Sequence, residues 1–505
     1  MPSTFLKILS PFVRVMPEVK APDREVSFRE KIVWTLIVLV VFLIMSHLPL
    51  YGVDPDVGTD YLWAMRVILA STRGTLMELG IGPIVTAGLV MQLLSGSKII
   101  NVDFGDPEDR ALFTGGQKVL ALFMTAFQAI AYIIGQAYGA LTPTNQIIVF
   151  AQLFISGVVV ILMDELVQKG WGLGSGVSLF IMTNVAGQVL WNMLDFTQVE
   201  STGPFGYIGP DGTDATGLPN GIIAAILSNI MRAFGLGNAN AVDAMWLVIR
   251  DPAYSTPSLF TLTITFVIFG AVIWLESVRV EIPLQYAKYR GMKARYPIKL
   301  LYTSNIPVIL AQALFANILF FGQMIWGSFN SDGSNPFLGW IGIFEKDPSS
   351  GRLIATWGLA KYITPPQGLF HILNEGIEGW LHIFVYAGVM ILLCWGFSKV
   401  WVDISGIAPR DVSRQLLNSG YMVPGFRTSE KVMERLLERY IPVVAGLGGF
   451  LIGILAATAD IMGALASGTG ILLMVSIIKQ YYEQIAKAQL SEMGGEGVAG
   501  LLGIL

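Results

Sequence analysis

The sequence predicts an all-α membrane protein of ten helical spans, and three observations predict it. Of 505 residues, 53% are hydrophobic and 13% are charged, about half the charge of a soluble domain; mean hydropathy is +0.62. Apolar runs near the ~20 residues needed to cross a bilayer recur along almost the whole chain. Lysine and arginine are distributed unevenly between alternate connecting segments, as in a multi-pass chain.

The first 31 residues do not read as a secretory signal. They carry Pro2, Pro11, Pro17 and Pro22 with six basic residues spread among acids, and no apolar run starts before Ile32. Phe5, Leu6, Ile8, Leu9, Phe12 and Val13, flanked by Lys7 and Arg14, suit an amphipathic segment on a membrane surface. Spans are expected near 32–50, 81–94, 118–138, 146–163 and 173–194, then near 258–275, 305–326, 380–398, 440–459 and 469–486. With the N-terminus cytoplasmic, 25 of the 32 lysines and arginines fall in inside segments and 7 outside, a strong positive-inside asymmetry.

The second span is anomalous. Ile81 to Leu94 covers only ~21 Å of helix, against a hydrocarbon core of ~30 Å. Before it stands 61–72 (YLWAMRVILAST), apolar but carrying Arg66, and then Arg73-Gly74. A charge and a break at membrane depth are tolerated only against protein or water. The segment therefore reads as a half-helix folded into an external funnel, with a surface helix as the alternative.

Chemistry is mostly absent. Asp164, Glu165, Asp460 and Lys479 sit at or near span ends, whereas ion-coupled carriers keep an ionisable group at depth. Cys394 is the single cysteine and His47, His371 and His382 are far apart, so no disulfide, metal site or cofactor is expected. Thr86, Gln92, Gln128, Gln136, Asn184, Gln188, Gln312, Asn317 and Gln323 supply amides and hydroxyls instead. They suit hydrogen bonds between helices or a mildly polar, uncharged lining. The one G-x-G-x-x-G, at Gly495, Gly497 and Gly500, follows no strand and reads as chance. The run GWGLGSG (170–176) reads as a tight turn into the fifth span.

Two inside loops are large. Residues 276–304 read as a hairpin with a cationic tip at Arg290, Lys293, Arg295 and Lys299. Residues 399–439 read as two short helices, with Pro409 as a helix start, Gly420 as a stop and Ser429 as an N-cap; Arg427 and Lys431 add to their charge. Ribosomal RNA phosphates or anionic lipid head groups are the partners such charge attracts.

The stretches 66–96 (RVILASTRGTLMELGIGPIVTAGLVMQLLSG), 164–181 (DELVQKGWGLGSGVSLFI), 279–310 and 463–484 (GALASGTGILLMVSIIKQYYEQ) resemble the SecY family, the α subunit of the archaeal and eukaryotic Sec translocon. The resemblance covers all ten spans and both basic loops. It implies two pseudo-symmetric five-helix halves around a central pore: 1–194, with a plug at about 61–72 (Leu62, Met65, Arg66, Ile68, Leu69), and 258–490. External stretches 195–257 and 327–379 and a tail at 491–505 complete the chain. It further implies a pore ring of Ile81, Val85, Val177, Ile181, Ile309 and Leu473, and a polar lateral gate of Thr86, Gln128 and Asn317. Arg290, Lys293, Arg295, Arg427 and Lys431 then lie where the family engages the ribosome. Small membrane subunits resembling SecE (γ) and Secβ are implied as partners, with nascent polypeptide, signal sequences and lipid. No enzyme activity is implied.

The function expected is a passive channel that threads unfolded polypeptide across the membrane and releases hydrophobic segments sideways into it, in an archaeal cell membrane or an equivalent Sec-bearing membrane. The alternative is a secondary solute transporter with a broken helix at its binding site. An intramembrane hydrolase lacks the paired acids, serine–histidine pair or metal ligands it needs.

Overall fold

The computed structural model describes residues 11–14, 16–24, 26–54, 60, 63, 65–97, 99–100, 102, 107–197, 221–224, 226–227, 259–286, 293–329, 335–346, 353–366, 376–423 and 429–492. Ten long helices lie on the ten expected spans: α1 Phe28–His47, α2 Gly82–Gly96, α3 Pro107–Ile134, α4 Pro143–Leu166, α5 Gly176–Leu194, α6 Leu259–Ser277, α7 Ile306–Phe329, α8 Ile377–Ile404, α9 Glu430–Ile461 and α10 Gly468–Glu492. Among the described residues, seven helices are long and apolar enough to cross a membrane by length and composition alone. Of the other three, α2 is short, at 15 residues.

Local signals place the helix starts. Ser27 accepts a hydrogen bond from the Glu30 amide at 3.4 Å, so S-x-x-E opens α1 as an N-terminal cap. Thr142 does the same for Asn145, and Pro143 supplies a pre-set first residue to α4. A π turn, Val167–Trp171, follows α4, and left-handed Gly170 and Gly174 carry the chain round to α5. Both need φ values that a side chain resists.

Within each set of five, neighbours in sequence pack together: α2 on α3, α3 on α4, and α8 closely along α9. The two sets meet in two places. On one side α2 packs against α7 and α8; on the other α5 packs against α10. A single large buried apolar cluster joins both.

The two basic loops fold as one lobe. Strands β1 (Arg279–Tyr286) and β2 (Lys293–Lys299) pair antiparallel, Arg279 opposite Lys299 and Gln285 opposite Lys293. Residues 421–422 add a third strand to the free edge of β1. Ile282, Leu284 and Ile298 of the hairpin share a core with Val412 and Leu416 of helix Pro409–Asn418, and with Met433, Leu437 and Ile441 of α9. The second short helix expected in 399–439 is thus the first three turns of α9, which continues past Pro442 into the bundle.

Candidate functional site

Six aliphatic positions belong to the large apolar cluster that joins the two sets of helices. Ile81 immediately precedes α2 and Val85 lies in its first turn; Val177 and Ile181 lie on α5, Ile309 on α7 and Leu473 on α10. Ile81, Ile181 and Leu473 are fully buried, Val85 nearly so, and Val177 and Ile309 half-buried against the same cluster. The four helices concerned form both contacts between the sets. A cluster of this kind presents no polar group to hold a passing chain and dewets when narrow.

Over this cluster lies the segment before α2. Met65, Ile68 and Leu69 are buried, which excludes a surface helix. A regular half-helix is also absent: the described part of 61–72 is a series of tight turns, closed by bonds such as Leu69 N–H to Met65 C=O at 2.9 Å, and Ala70 is left-handed at φ 51°. The cause is the Arg66 guanidinium, around which the chain wraps. It donates to Asp60 at 2.6–2.9 Å, to Ser71 Oγ at 2.7 Å and to Glu78 Oε1 at 2.5 Å. Glu78, 1% exposed, also accepts from the Gly74 amide. A buried charge so fully partnered is tolerated, but removing one partner is costly.

The segment is fixed to both sets of helices. The Leu69 carbonyl accepts from Ile81 N–H at 2.9 Å. Asn184 of α5 donates to the carbonyls of Val67 at 2.9 Å and Arg66 at 3.2 Å. Trp63 donates to the Leu353 carbonyl at 2.8 Å, on a hairpin of β3 (Ile343–Lys346) and β4 (Leu353–Trp357). Gly80 must be glycine, because a Cβ there would lie 2.1 Å from the Leu69 oxygen.

Where α2 meets α7, Thr86 and Asn317 bond to each other. The Asn317 amide donates to Thr86 Oγ1 at 3.0 Å and to the Ala313 carbonyl at 2.7 Å. Gln128 of α3 lines the same small cavity of about 10 Å³, room for about one water, without a hydrogen bond to either. Aromatic pairs from α3 and α7 continue the contact, Phe127 with Phe321 at 5.9 Å and Tyr132 with Phe320 at 5.7 Å.

Of the basic positions, Arg295 and Lys431 are exposed on the lobe, and Arg295 donates to Glu281 at 2.6 Å. Lys293 lies on β2 beside the tip; its side chain, Leu62, Arg290 and Arg427 lie outside the described residues. So do most of 195–257 and residues 5–10. A separate cavity of about 630 Å³ between α2, α3, α4 and the N-terminal segment is lined by none of the six aliphatic positions. At its rim Lys169 bonds to Glu18, which holds the Glu18 carboxyl below the usual carboxylate range.

Sequence reasoning missed Asp60, Glu78 and the role of Asn184. It also missed Asp460, whose carboxylate accepts from Tyr386 at 2.7 Å and from Thr469. A solitary acid next to a glycine-rich turn was the available signal for both Glu78 and Asp460.

Comparison with known proteins fits this geometry. The sequence model of the SecY family matches residues 75–482, and that of the plug domain of Sec61p matches residues 40–74. The chain is similar to a protein-conducting channel of known structure, with 34% identity over 96% of this chain and 98% of that one and a TM-score of 0.73. The same figures hold for a SecY structure whose plug domain stabilises the closed state of its translocation channel and maintains a membrane seal. Sec61 in the canine ribosome–channel complex of the endoplasmic reticulum is 33% identical over 96% of this chain and 98% of that one, TM-score 0.71. A single buried aliphatic cluster between two five-helix sets, a plug segment seated on it, and a family match over most of the length lead to one statement: the chain belongs to the SecY family.

Proposed function

We propose that this protein is the central pore-forming subunit of a protein-conducting channel, which passes unfolded polypeptide across the membrane and releases hydrophobic segments into the bilayer. What supports it is the burial of six aliphatic side chains, from or beside four helices of both halves, in one apolar cluster, with the plug segment hydrogen-bonded to Ile81. The halves are 1–194 and 258–490. Ile81, Val85, Val177, Ile181, Ile309 and Leu473 form the gasket, and residues 61–72 close it.

Thr86, Gln128 and Asn317 form the lateral gate. Bonds of this kind are worth about 0.6–2 kcal/mol each in a membrane, small enough for an entering hydrophobic segment to shift the balance of open and closed states. Arg290, Lys293, Arg295, Arg427 and Lys431 of the two basic loops face the cytoplasm and contact ribosomal RNA, in keeping with the ribosome-bound relative. Small SecE-like and Secβ-like subunits complete the complex. The N-terminus is cytoplasmic, and the membrane is an archaeal cell membrane or its Sec-bearing equivalent. The residues supply positioning and sealing, with no reaction to catalyse; a partner drives the cargo.

Two measurements test the reading. A cysteine at position 181 or 473, in a Cys394→Ala background, should cross-link to a translocation-arrested nascent chain; cross-links from lipid-facing Phe266 substituted in the same way but none from 181 or 473 would refute it. Thr86→Leu with Asn317→Leu makes an opened gate place leucine against water. The hydrophobicity a signal segment needs should rise by about 1 kcal/mol of transfer free energy, read as translocation of a graded signal series; an unchanged threshold removes the gate assignment.

A further inference from the structure

The turn leading into α5 and the turn leading into α10 are built alike. Leu173-Gly174-Ser175-Gly176 opens α5, and Leu465-Ala466-Ser467-Gly468 opens α10. The second residue of each is left-handed, Gly174 at φ 73° and Ala466 at φ 67°. The fourth is a glycine pressed against the end of the preceding helix. A Cβ on Gly176 would lie 2.6 Å from Cα of Asp164; one on Gly468 would lie 2.0 Å from the carbonyl carbon of Ala459.

Each helix then takes its first-turn hydrogen bond from a buried aspartate behind it. Asp164, near the end of α4, accepts from Val177 N–H at 2.9 Å. Asp460, near the end of α9, accepts from Thr469 N–H at 2.8 Å. Ser175, although at the N-cap position, makes no side-chain cap bond, so the aspartate replaces it. The second oxygen of each acid is also held, by Gln168 at 2.8 Å for Asp164 and by Tyr386 at 2.7 Å for Asp460. Five residues beyond each glycine stands a fully buried aliphatic, Ile181 in one helix and Leu473 in the other.

The helices run antiparallel. The Tyr481 hydroxyl donates to the Ser175 carbonyl at 3.0 Å, and a Cβ on Gly470 would lie 3.3 Å from Val185 Cγ2. The two aspartates therefore hold opposite ends of one helix pair, which crosses near Ile181 and Leu473.

We infer that Asp164 and Asp460 are equivalent positioning residues, which fix the axial register of α5 and α10 and so set Ile181 and Leu473 at the constriction. The inference rests on the reading of that constriction as the seal. Register matters because a slip of one residue moves a side chain by about 1.5 Å along the axis and about 100° around it. Such a slip would take Ile181 or Leu473 off the centre. The bond that prevents it is buried, and an amide left without its acceptor there has no water to replace it.

The test uses the full chain in proteoliposomes with Cys394→Ala. Val185→Cys with Gly470→Cys reports register through disulfide yield, scored on the monodisperse fraction, and ion leak through the resting channel reports the seal. Asp164→Ala and Asp460→Ala should each lower the yield by about threefold or more and raise the leak, as for the loss of about 0.7 kcal/mol of alignment or more. Asp164→Asn and Asp460→Asn keep an acceptor oxygen and should restore both. Should an alanine variant give no monodisperse fraction, Asp164→Glu or Asp460→Glu takes its place: it lengthens the arm by one methylene and should shift the register while keeping the charge. Alanine or glutamate variants with wild-type yield overturn the inference, as do asparagine variants that fail to restore it. Ile181→Ser with Leu473→Ser should leak at unchanged yield; if it does not leak, the seal reading fails while the yield still decides the register.

Discussion

The two places where the halves meet are made of different materials. Between α5 and α10 the contact is close to the backbone: Ser175 offers a carbonyl to Tyr481, Gly470 lies against Val185, and both helix starts are tied to buried aspartates. Where α7 meets α2 and α3 the polar and ring contacts are between side chains: one Thr86–Asn317 pair, an amide at Gln128 bonded to neither, and aromatic rings. Backbone-close packing has no substitute when it is broken, because nothing else fits the gap. Bonds between side-chain tips can be exchanged for water or for another segment.

The largest effect is expected from a matched glycine pair at helix starts beside the two junctions, each packed within its own half: Gly468 on Ala459 of α9 and Gly82 on Gln128 of α3. Gly468 and Gly82 are each the first residue of a helix, α10 and α2. Gly468→Ala places a Cβ against backbone at 2.0 Å, whereas Gly82→Ala meets Gln128 Oε1 at 3.6 Å, ordinary contact. Gly468→Ala should cost about 4 kcal/mol or more, among the large values that mark overpacking, and Gly82→Ala less than about 1 kcal/mol. Thermal unfolding in detergent measures both; equal losses would erase the distinction.

The plug segment, which touches both junctions, sharpens it next. Glu78→Ala leaves Arg66 with Asp60 and Ser71 only, a loss of about 3 kcal/mol for a buried ion pair deprived of a partner. The expected result is a higher resting ion leak with the helix bundle still folded. A wild-type leak would mean that the Asn184 and Trp63 bonds hold the segment by themselves.

The smallest effect expected is a gain. Ala466 holds a left-handed φ of 67° that its counterpart Gly174 occupies without strain. Ala466→Gly should stabilise the protein by about 1 kcal/mol, visible as a modest rise in Tm. A fall would show that the methyl of Ala466, which packs against the main cluster, outweighs the backbone.

The helices were legible because hydrocarbon thickness imposes a length, and a run such as Ile32–Leu50 has few other readings. The hairpin 279–299 was legible because alternation and Arg290-Gly291 mark two strands and a turn. The turn-built plug was not, since Tyr61–Thr72 has the composition of a helix. What breaks it is Arg66 drawing in Asp60 from one side and Glu78 from the other, and no local pattern announces a charge cluster assembled from three turns of loop. The union of the two basic loops was hidden for a similar reason: its strand, Tyr421–Met422, is two residues long. The positions proposed for gate and ring were read through family motifs; their separate burial reads the same as ordinary packing for any one isoleucine or valine.

Helix α9 has a consequence for how a load on the lobe is felt at the centre. It is one rod of 32 residues, about 48 Å long, with Met433 and Leu437 embedded in the lobe and Asp460 at its other end. Pro442 interrupts the hydrogen-bond ladder between them, as a pivot. A tilt of about 5° there would swing the far end by about 2 Å, given ~1.5 Å of rise per residue. A movement of the lobe is thereby geared, through a single lever, to the carboxylate that accepts from the first turn of α10.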